Sequence, residues 1–173
     1  TFKSGDFSRI IHITDMDGAF IPDNCVIDDE AEKKPQYSAT EIRTCNKAGI
    51  EERNRRKREN LNRLASTSKV WNVPYQIYYM SCNLDHALYG KLNSTDDEKE
   101  ADSFAFANKY KEDIPSFIRF ISESDFSVMG EYSESWQYIR EGRHSLERHT
   151  NFGLCFETAE DDAKGETVSD KAE

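Results

Sequence analysis

The 173-residue sequence contains no run of about 18 apolar residues, so we expect no transmembrane helix and no membrane partner. Its first residues also lack the charged start and apolar block of a secretory signal peptide. The chain opens on Thr1 rather than on a methionine, and we expect it to be a piece of a longer protein. These absences favour a cytoplasmic protein.

Closely spaced cysteines are missing as well. The four cysteines lie far apart, with no C-x-x-C pair, at Cys25, Cys45, Cys82 and Cys155. Such spacing indicates neither a zinc site nor a disulfide framework, and we expect reduced thiols.

Positive charge is in deficit, since 23 basic and 33 acidic residues give a net charge of -10. This balance argues against a wide, non-specific surface for nucleic acid. The tail at 157–173 carries half of the net charge, and we predict that it is disordered. The opposite bias occurs at 51–63, where six basic residues accompany three acidic ones. These charges favour a surface helix with Glu–Arg pairs such as Glu52 and Arg56, and phosphate contact is the alternative.

The stretch 8–23 (SRIIHITDMDGAFIPD) has the pattern of a buried strand that stops at two acidic residues. Three β-branched isoleucines precede Asp15, Asp17 and Gly18. Alternate strand residues point the same way, so both carboxylates are expected at the carboxyl edge of a sheet, where open α/β sheets bind ligands. Neighbouring carboxylates repel unless a cation lies between them, and Mg²⁺ (or Mn²⁺) is the usual partner. A simple turn is the alternative, because Asp and Gly favour turns.

A second apolar stretch, at 75–80, ends in a similar polar cluster at 81–86, SCNLDH. Between the two stretches, a capping-box pattern at Ser38 and Glu41 predicts a helix that ends near Ala65. If the two strands are parallel neighbours joined through this helix, both polar clusters lie at one edge of the sheet.

The remaining segments complete the predicted fold. The acidic stretch at 25–35 is typical of an exposed loop, and a capping box at Thr95 predicts a helix to about Lys111. The apolar side of that helix is predicted to comprise Ala101, Phe104, Ala105 and Ala107. Further helices are expected from Ile114 and around Tyr132, Trp136 and Ile139, before a last short strand at 151–156. We therefore predict one α/β domain over 1–156, with a small, mostly parallel sheet, flanking helices and a helical C-terminal half.

The stretch 143–151 is dense in groups that bind anions. Arg143 and Arg148 are the predicted phosphate-binding residues, because the planar guanidinium fork matches phosphate geometry. A surface turn with charged partners is the alternative.

The motif Asp15-Met16-Asp17-Gly18-Ala19 resembles the D-x-D-G-[TV] motif of the haloacid-dehalogenase-like phosphatases, with Ala19 in place of Thr or Val. That resemblance implies Asp15 as the phosphoryl-accepting nucleophile and Asp17 as the general acid/base. Ser81 would then belong to the second motif of the family. No lysine-bearing motif stands out between Ser81 and the tail.

The same D-x-D is similar to that of the Toprim fold, which occurs in topoisomerases, primases and the nuclease parts of OLD- and RloB-type proteins. The segment 81–88 also resembles the downstream motif of RloB-like proteins, with Asp85 in place of the usual Glu. The resemblance spans 8–90, about half of the chain. Toprim proteins carry a catalytic glutamate strand before the D-x-D, and this sequence shows none before Asp15.

The Toprim resemblance implies a Rossmann-like domain that binds Mg²⁺ (or Mn²⁺) at Asp15 and Asp17 and acts on nucleic-acid phosphodiesters. Phage defence and DNA or RNA processing are the settings that it implies. Asp15, Asp17 and Asp85 would be catalytic, and Arg148 would hold a phosphate. The phosphatase is the competing hypothesis. A third hypothesis is a non-catalytic interaction module in which the aspartates only form a turn.

Overall fold

The computed structural model describes residues 2–157, which form short strands and helices. The strands are β1 (Ile10–Asp15), β2 (Val26–Asp28), β3 (Gln36–Tyr37), β4 (Ile42–Thr44), β5 (Lys69–Val70), β6 (Val73–Ser81) and β7 (His149–Thr150). The helices are α1 (Lys47–Ala65), α2 (Leu84–Tyr89), α3 (Asp96–Tyr110), α4 (Ile114–Glu123) and α5 (Tyr132–Arg140). The predicted α/β class is confirmed.

β6 is the central strand of the main sheet. β1 runs parallel to it, with Ile10 opposite Tyr75 and Asp15 opposite Met80. β5 and β7 both run antiparallel to β6. The predicted parallel pairing of the first two long strands is therefore confirmed, but the sheet is mixed, because both of its short strands are antiparallel.

A second sheet of three short strands lies between β1 and α1 in the chain. β2 pairs in parallel with β4, and β3 pairs with β4 in the antiparallel sense. The stretch 25–35, predicted as an exposed loop, therefore contributes a strand, and its Val26 is fully buried beside Ile42. Strands of two or three residues are too short for an alternating pattern to reveal them in the sequence.

α1 begins at Lys47, later than the capping box at Ser38 predicts. The Ser38 hydroxyl accepts a hydrogen bond from the Glu41 N–H at 3.0 Å, but this bond closes a turn before β4. Asn46 is the true N-cap, since its Oδ1 accepts a bond from the Gly49 N–H at 3.0 Å. Ser and Asn are both favourable caps, so the local sequence does not distinguish the two positions.

The largest apolar cluster joins the β1–β6 pair to α1 and α5. α1 contributes Leu61, and α5 contributes Trp136 and Ile139, all of them buried. They pack with Met16, Ala19, Phe20, Tyr75, Ile77 and Tyr79. The predicted amphipathic helix around Trp136 is confirmed as a core helix.

The predicted apolar side of α3 is wrong. Phe104 is 71% exposed, whereas Phe106 and Tyr110 lie on the inner side with their ring centroids 4.8 Å apart. Both rings also contact Phe117 and Phe120 of α4. Residues four apart are neighbours on a helix, so this aromatic pair decides which side of α3 is buried.

The last predicted strand is displaced. β7 covers His149–Thr150, and the stretch predicted as a strand, 151–156, forms a turn followed by helical residues. The predicted disordered tail at 157–173 lies outside the described residues except for Glu157. Between residues 2 and 157, no helix has the length and apolar character needed to cross a membrane.

β1 forms one edge of the main sheet in the described chain, because it pairs only with β6. The Met16 N–H donates to the Met80 carbonyl, so in a parallel ladder the even-numbered residues of β1 bond to β6. Ile11 and Ile13 then direct their backbone groups outward, and each is 43% exposed. Among the strands of the described chain, none pairs with this outer edge of β1.

Candidate metal centre at the ends of β1 and β6

The loops that follow β1 and β6 are joined by backbone hydrogen bonds. The N–H groups of Met16 and Asp17 both donate to the Cys82 carbonyl, at 3.0 and 2.7 Å. The two polar clusters predicted from the sequence therefore lie at the same edge of the sheet. They meet at the carboxyl ends of two parallel strands, the usual position of ligand sites in α/β proteins.

Asp15 is the last residue of β1, and its side chain is held by the start of α2. The Leu84 N–H donates to Asp15 Oδ1 at 2.9 Å. Burial raises the pKa of Asp15, and the neighbouring charges of Asp17 and Asp85 raise it as well. The Leu84 hydrogen bond and the Lys57 charge act in the opposite direction. The negative charges of Asp17 and Asp85, the other two predicted catalytic residues, therefore both act on Asp15.

Asp17 is held in a left-handed conformation, with φ at 50°. Its Oδ2 forms an ion pair with Lys57 Nζ, in which the two side chains are 30% and 24% exposed. Its carbonyl accepts a hydrogen bond from Arg53 Nη2 at 2.8 Å. α1 therefore contacts Asp17 through two cations, one on the backbone and one on the carboxylate.

Arg53 has fixed partners on every side. Its Nη1 donates to the Tyr37 hydroxyl at 2.5 Å, and its Nε and Nη2 donate to Asn54 Oδ1 at 3.2 and 2.8 Å. Asn54 itself is buried. This network links the small sheet, α1 and the Asp17 loop into one support for the site.

Sequence reasoning missed Lys57 and Arg53 as site residues. The basic residues of α1, including Arg53 and Lys57, are predicted to lie on its exposed side. This is confirmed for Arg56, paired to Glu52 at 2.6 Å, and for Arg55, paired to Glu52 and Glu59. It is wrong for Arg53 and Lys57, which contact Asp17. Arg53 and Lys57 lie four residues apart and therefore share another side of the helix, which faces the Asp17 loop. The four-residue spacing of Arg53 and Lys57 was the sequence signal that could have placed them together on one side of α1.

The donor set suits Mg²⁺ bound sparsely by protein oxygens. Asp15 Oδ2 and Asp17 Oδ1 accept no hydrogen bond from any residue between 2 and 157. Mg²⁺ is typically held by one or two carboxylates, with water and substrate phosphates completing its octahedron. In the same range, no group of three or more His, Cys, Asp or Glu side chains has the arrangement of a metal site. The predicted metal role of Asp15 and Asp17 therefore depends on their position and on their oxygens without a donor, not on a recognised cluster of ligands.

The two arginines predicted to bind phosphate are placed differently from the aspartates. Arg148 donates from Nε and Nη2 to the Ala87 carbonyl at 3.1 and 3.0 Å, and its guanidinium carbon lies 4.0 Å from the centre of the Phe126 ring. These contacts tie β7 to the C-terminal end of α2 without a phosphate. Arg143 is exposed in the loop before β7.

The polar residues at the end of β6 are engaged within the protein. Ser81 is buried, and its hydroxyl donates to the His144 carbonyl at 2.9 Å. Burial raises the pKa of the Cys82 thiol to about 12, and the Asp17 charge adds to this effect. Cys82 is therefore a neutral thiol rather than a nucleophile.

His86, beside the carboxyl end of β6, makes the stability of the folded protein dependent on pH. Its Nδ1 accepts a hydrogen bond from the Cys82 N–H at 3.0 Å, and this bond requires a neutral ring nitrogen. Burial, together with the smaller effects of the Arg148 and His149 charges, lowers the pKa of His86 to about 4. Because the folded pKa is below the unfolded one, the unfolded chain binds the extra proton, and stability falls as the pH drops below about 6.5.

We expect the free energy of unfolding to fall by about 2 kcal/mol between pH 7 and pH 4 because of this residue. The His86→Asn variant keeps an acceptor near Nδ1 but does not titrate, so its stability should depend less on pH. Urea unfolding of both proteins at the two pH values measures the difference. An identical loss in the two proteins would assign the pH dependence to other groups.

The chain is thus a mixed α/β protein in which Asp15 and Asp17 lie at the carboxyl end of edge strand β1, beside the end of the parallel strand β6. Compared with protein-family models, curated proteins and solved structures, the chain gives no match.

Proposed function

We propose that this chain is a Toprim-like, Mg²⁺-dependent protein that acts on nucleic-acid phosphodiesters. The observation that carries the proposal is the position of Asp15 and Asp17 at the carboxyl end of β1, beside a parallel strand. Each carboxylate keeps one oxygen without a donor in the described chain. Phage defence and DNA or RNA processing are the settings in which we place this activity.

Different residues would bind the metal ion and fix the orientation of its ligands. When bound, Mg²⁺ would shield the phosphodiester and stabilise the charge that develops as a bridging P–O bond breaks. Asp15 and Asp17 would hold the ion, and the Leu84 N–H fixes the orientation of Asp15. Asp85, on the first turn of α2, adds negative charge that favours a cation there.

The open edge of β1 supports the Toprim proposal in a second way. The resemblance expects a further strand that ends in a catalytic glutamate. A strand added in parallel beyond Ile11 and Ile13 would bring its last residue next to Asp15. Such a carboxylate would be a third ligand for the ion.

The experiment is a cleavage assay on single-stranded and duplex DNA and RNA with Mg²⁺ or Mn²⁺. We expect metal-dependent cleavage that falls by at least about 100-fold in Asp15→Asn, because a ligand of the ion is lost. Asp28→Asn is the matched control, since Asp28 also ends a strand but is exposed. Cleavage that persists in Asp15→Asn, or that falls equally in Asp28→Asn, would contradict the proposal.

A haloacid-dehalogenase-like phosphatase is the second candidate function. Its support is the position of Ser81, which ends the strand parallel to β1, where that family places its second motif. The buried Ser81 hydroxyl donates to the His144 carbonyl, so it would have to leave that partner to contact a phosphate. This function predicts hydrolysis of a generic aryl phosphate that is lost in Asp15→Asn. Aryl phosphate turnover without phosphodiester cleavage would favour it, and absence of both activities would favour a non-catalytic interaction module.

A further inference from the structure

We propose that Lys57 is the phosphate-binding residue of this site and that, without metal, its ammonium group rests on Asp17. The inference depends on the proposed function, because it assigns the residue that holds the substrate's non-bridging oxygens. Lys57 and Mg²⁺ would then compete for the Asp17 carboxylate.

Arg53 and Lys57, both on α1, contact Asp17 in different ways. Arg53 donates to an Asp17 carbonyl, a Tyr37 hydroxyl and an Asn54 amide oxygen, all neutral acceptors in fixed positions. The Lys57 ammonium group has a single hydrogen-bond partner between residues 2 and 157, the carboxylate of Asp17. Arg53 therefore positions the loop, whereas Lys57 is attached only to a group that a metal would also use.

The charges around Asp17 determine how metal binding would affect Lys57. Asp15, Asp17 and Asp85 carry three negative charges when ionised, and Lys57 is the cation that lowers the pKa of Asp15. A divalent ion at the aspartates would neutralise most of this charge and repel the ammonium group. Lys57 has a long flexible stem with three donors, so it can turn to a phosphate oxygen close to the ion.

The other candidate cations have different environments. Arg148 donates to the Ala87 carbonyl and lies over Phe126. Arg55 and Arg56 pair with Glu52 on the exposed side of α1. Lys57 is the described basic residue that forms an ion pair with a predicted metal ligand.

The test measures binding rather than activity. Calorimetric titration with Mn²⁺ compares the parent chain with Lys57→Met, and we expect the variant to bind Mn²⁺ about fivefold more tightly because a competing ion pair is removed. Titration with inorganic phosphate in saturating Mn²⁺ should show the opposite effect, with about tenfold weaker binding to the variant. Opposite signs in the two titrations are not expected of a residue that merely supports the fold.

Two further variants complete the design. Lys47→Met is the matched control, because Lys47 also lies on α1 and pairs with an acidic residue, Glu51, at 3.6 Å. It should change neither titration. Lys57→Arg keeps the charge and should restore phosphate binding, which also covers the case in which Lys57→Met does not fold.

The outcomes separate this inference from the proposed function. If the parent binds Mn²⁺ and Lys57→Met binds it equally or more weakly, the assignment of Lys57 is overturned while the metal site stands. Unchanged phosphate binding in both Lys57 variants would also overturn it. If the parent binds no Mn²⁺, the metal site and the competition at Asp17 fail together.

Discussion

Gly18→Ala is expected to lower the free energy of unfolding by about 3 kcal/mol. Gly18 has φ at +67°, a left-handed conformation that a side chain disfavours. A Cβ at this position would lie 2.7 Å from Leu146 Cδ2 and 3.0 Å from Ile42 Cδ1, in a buried apolar cluster. The backbone strain and the overpacking therefore add, and urea unfolding measures their sum.

Gly142→Ala is the matched control for this prediction. Gly142 also has a left-handed φ of +54°, but a Cβ there would meet no atom within 4 Å. We expect a loss of about 1 kcal/mol from the backbone term alone. Equal losses in the two variants would show that the packing around Gly18 is not tight.

The carboxyl ends of β1 and β6 are the part of the fold that the sequence specifies most directly. Isoleucines before Asp15 and the apolar run before Ser81 have the length and composition of strands, so their pairing followed from a few rules on α/β connections. The structure places both polar clusters at one edge, with the Cys82 carbonyl bonded to the Met16 and Asp17 N–H groups. Local pattern is sufficient here because long strands are involved.

The support of the site was not predictable by the same reasoning. β2, β3 and β4 have three residues at most, too few to show a period. They nevertheless bring Tyr37 to Arg53, which then fixes the Asp17 carbonyl. The contact between Tyr37 and Arg53 depends on tertiary structure. Because α1 carries many charged residues, its sequence does not distinguish Arg53 and Lys57, which face the Asp17 loop, from the exposed ones.

Residue type alone does not reveal which groups an arginine contacts in the fold. Arg148 and Arg143 were predicted because guanidinium groups suit phosphate, yet Arg148 donates to the Ala87 carbonyl at the end of α2. On α3, the same limitation applies to apolar residues, since Phe104 is exposed while Phe106, two positions later, packs inwards. In both cases the partner across the fold decides the role.

The most direct test of the proposed metal centre is a calorimetric Mn²⁺ titration of the parent chain and of the Asp15→Asn/Asp17→Asn double variant. Each substitution removes a carboxylate charge while keeping the size and polar shape of the side chain. The Leu84 N–H and Lys57 retain an oxygen acceptor in the variant, so the fold of the edge should be preserved.

We predict that the parent binds Mn²⁺ in the micromolar to low-millimolar range and that the double variant binds at least about 100-fold more weakly, since both charged ligands are lost. The Asp28→Asn variant should bind as the parent does, because Asp28 is exposed on the small sheet. Equal Mn²⁺ affinity in the parent and the double variant, or no binding by the parent, would contradict a metal centre at these aspartates.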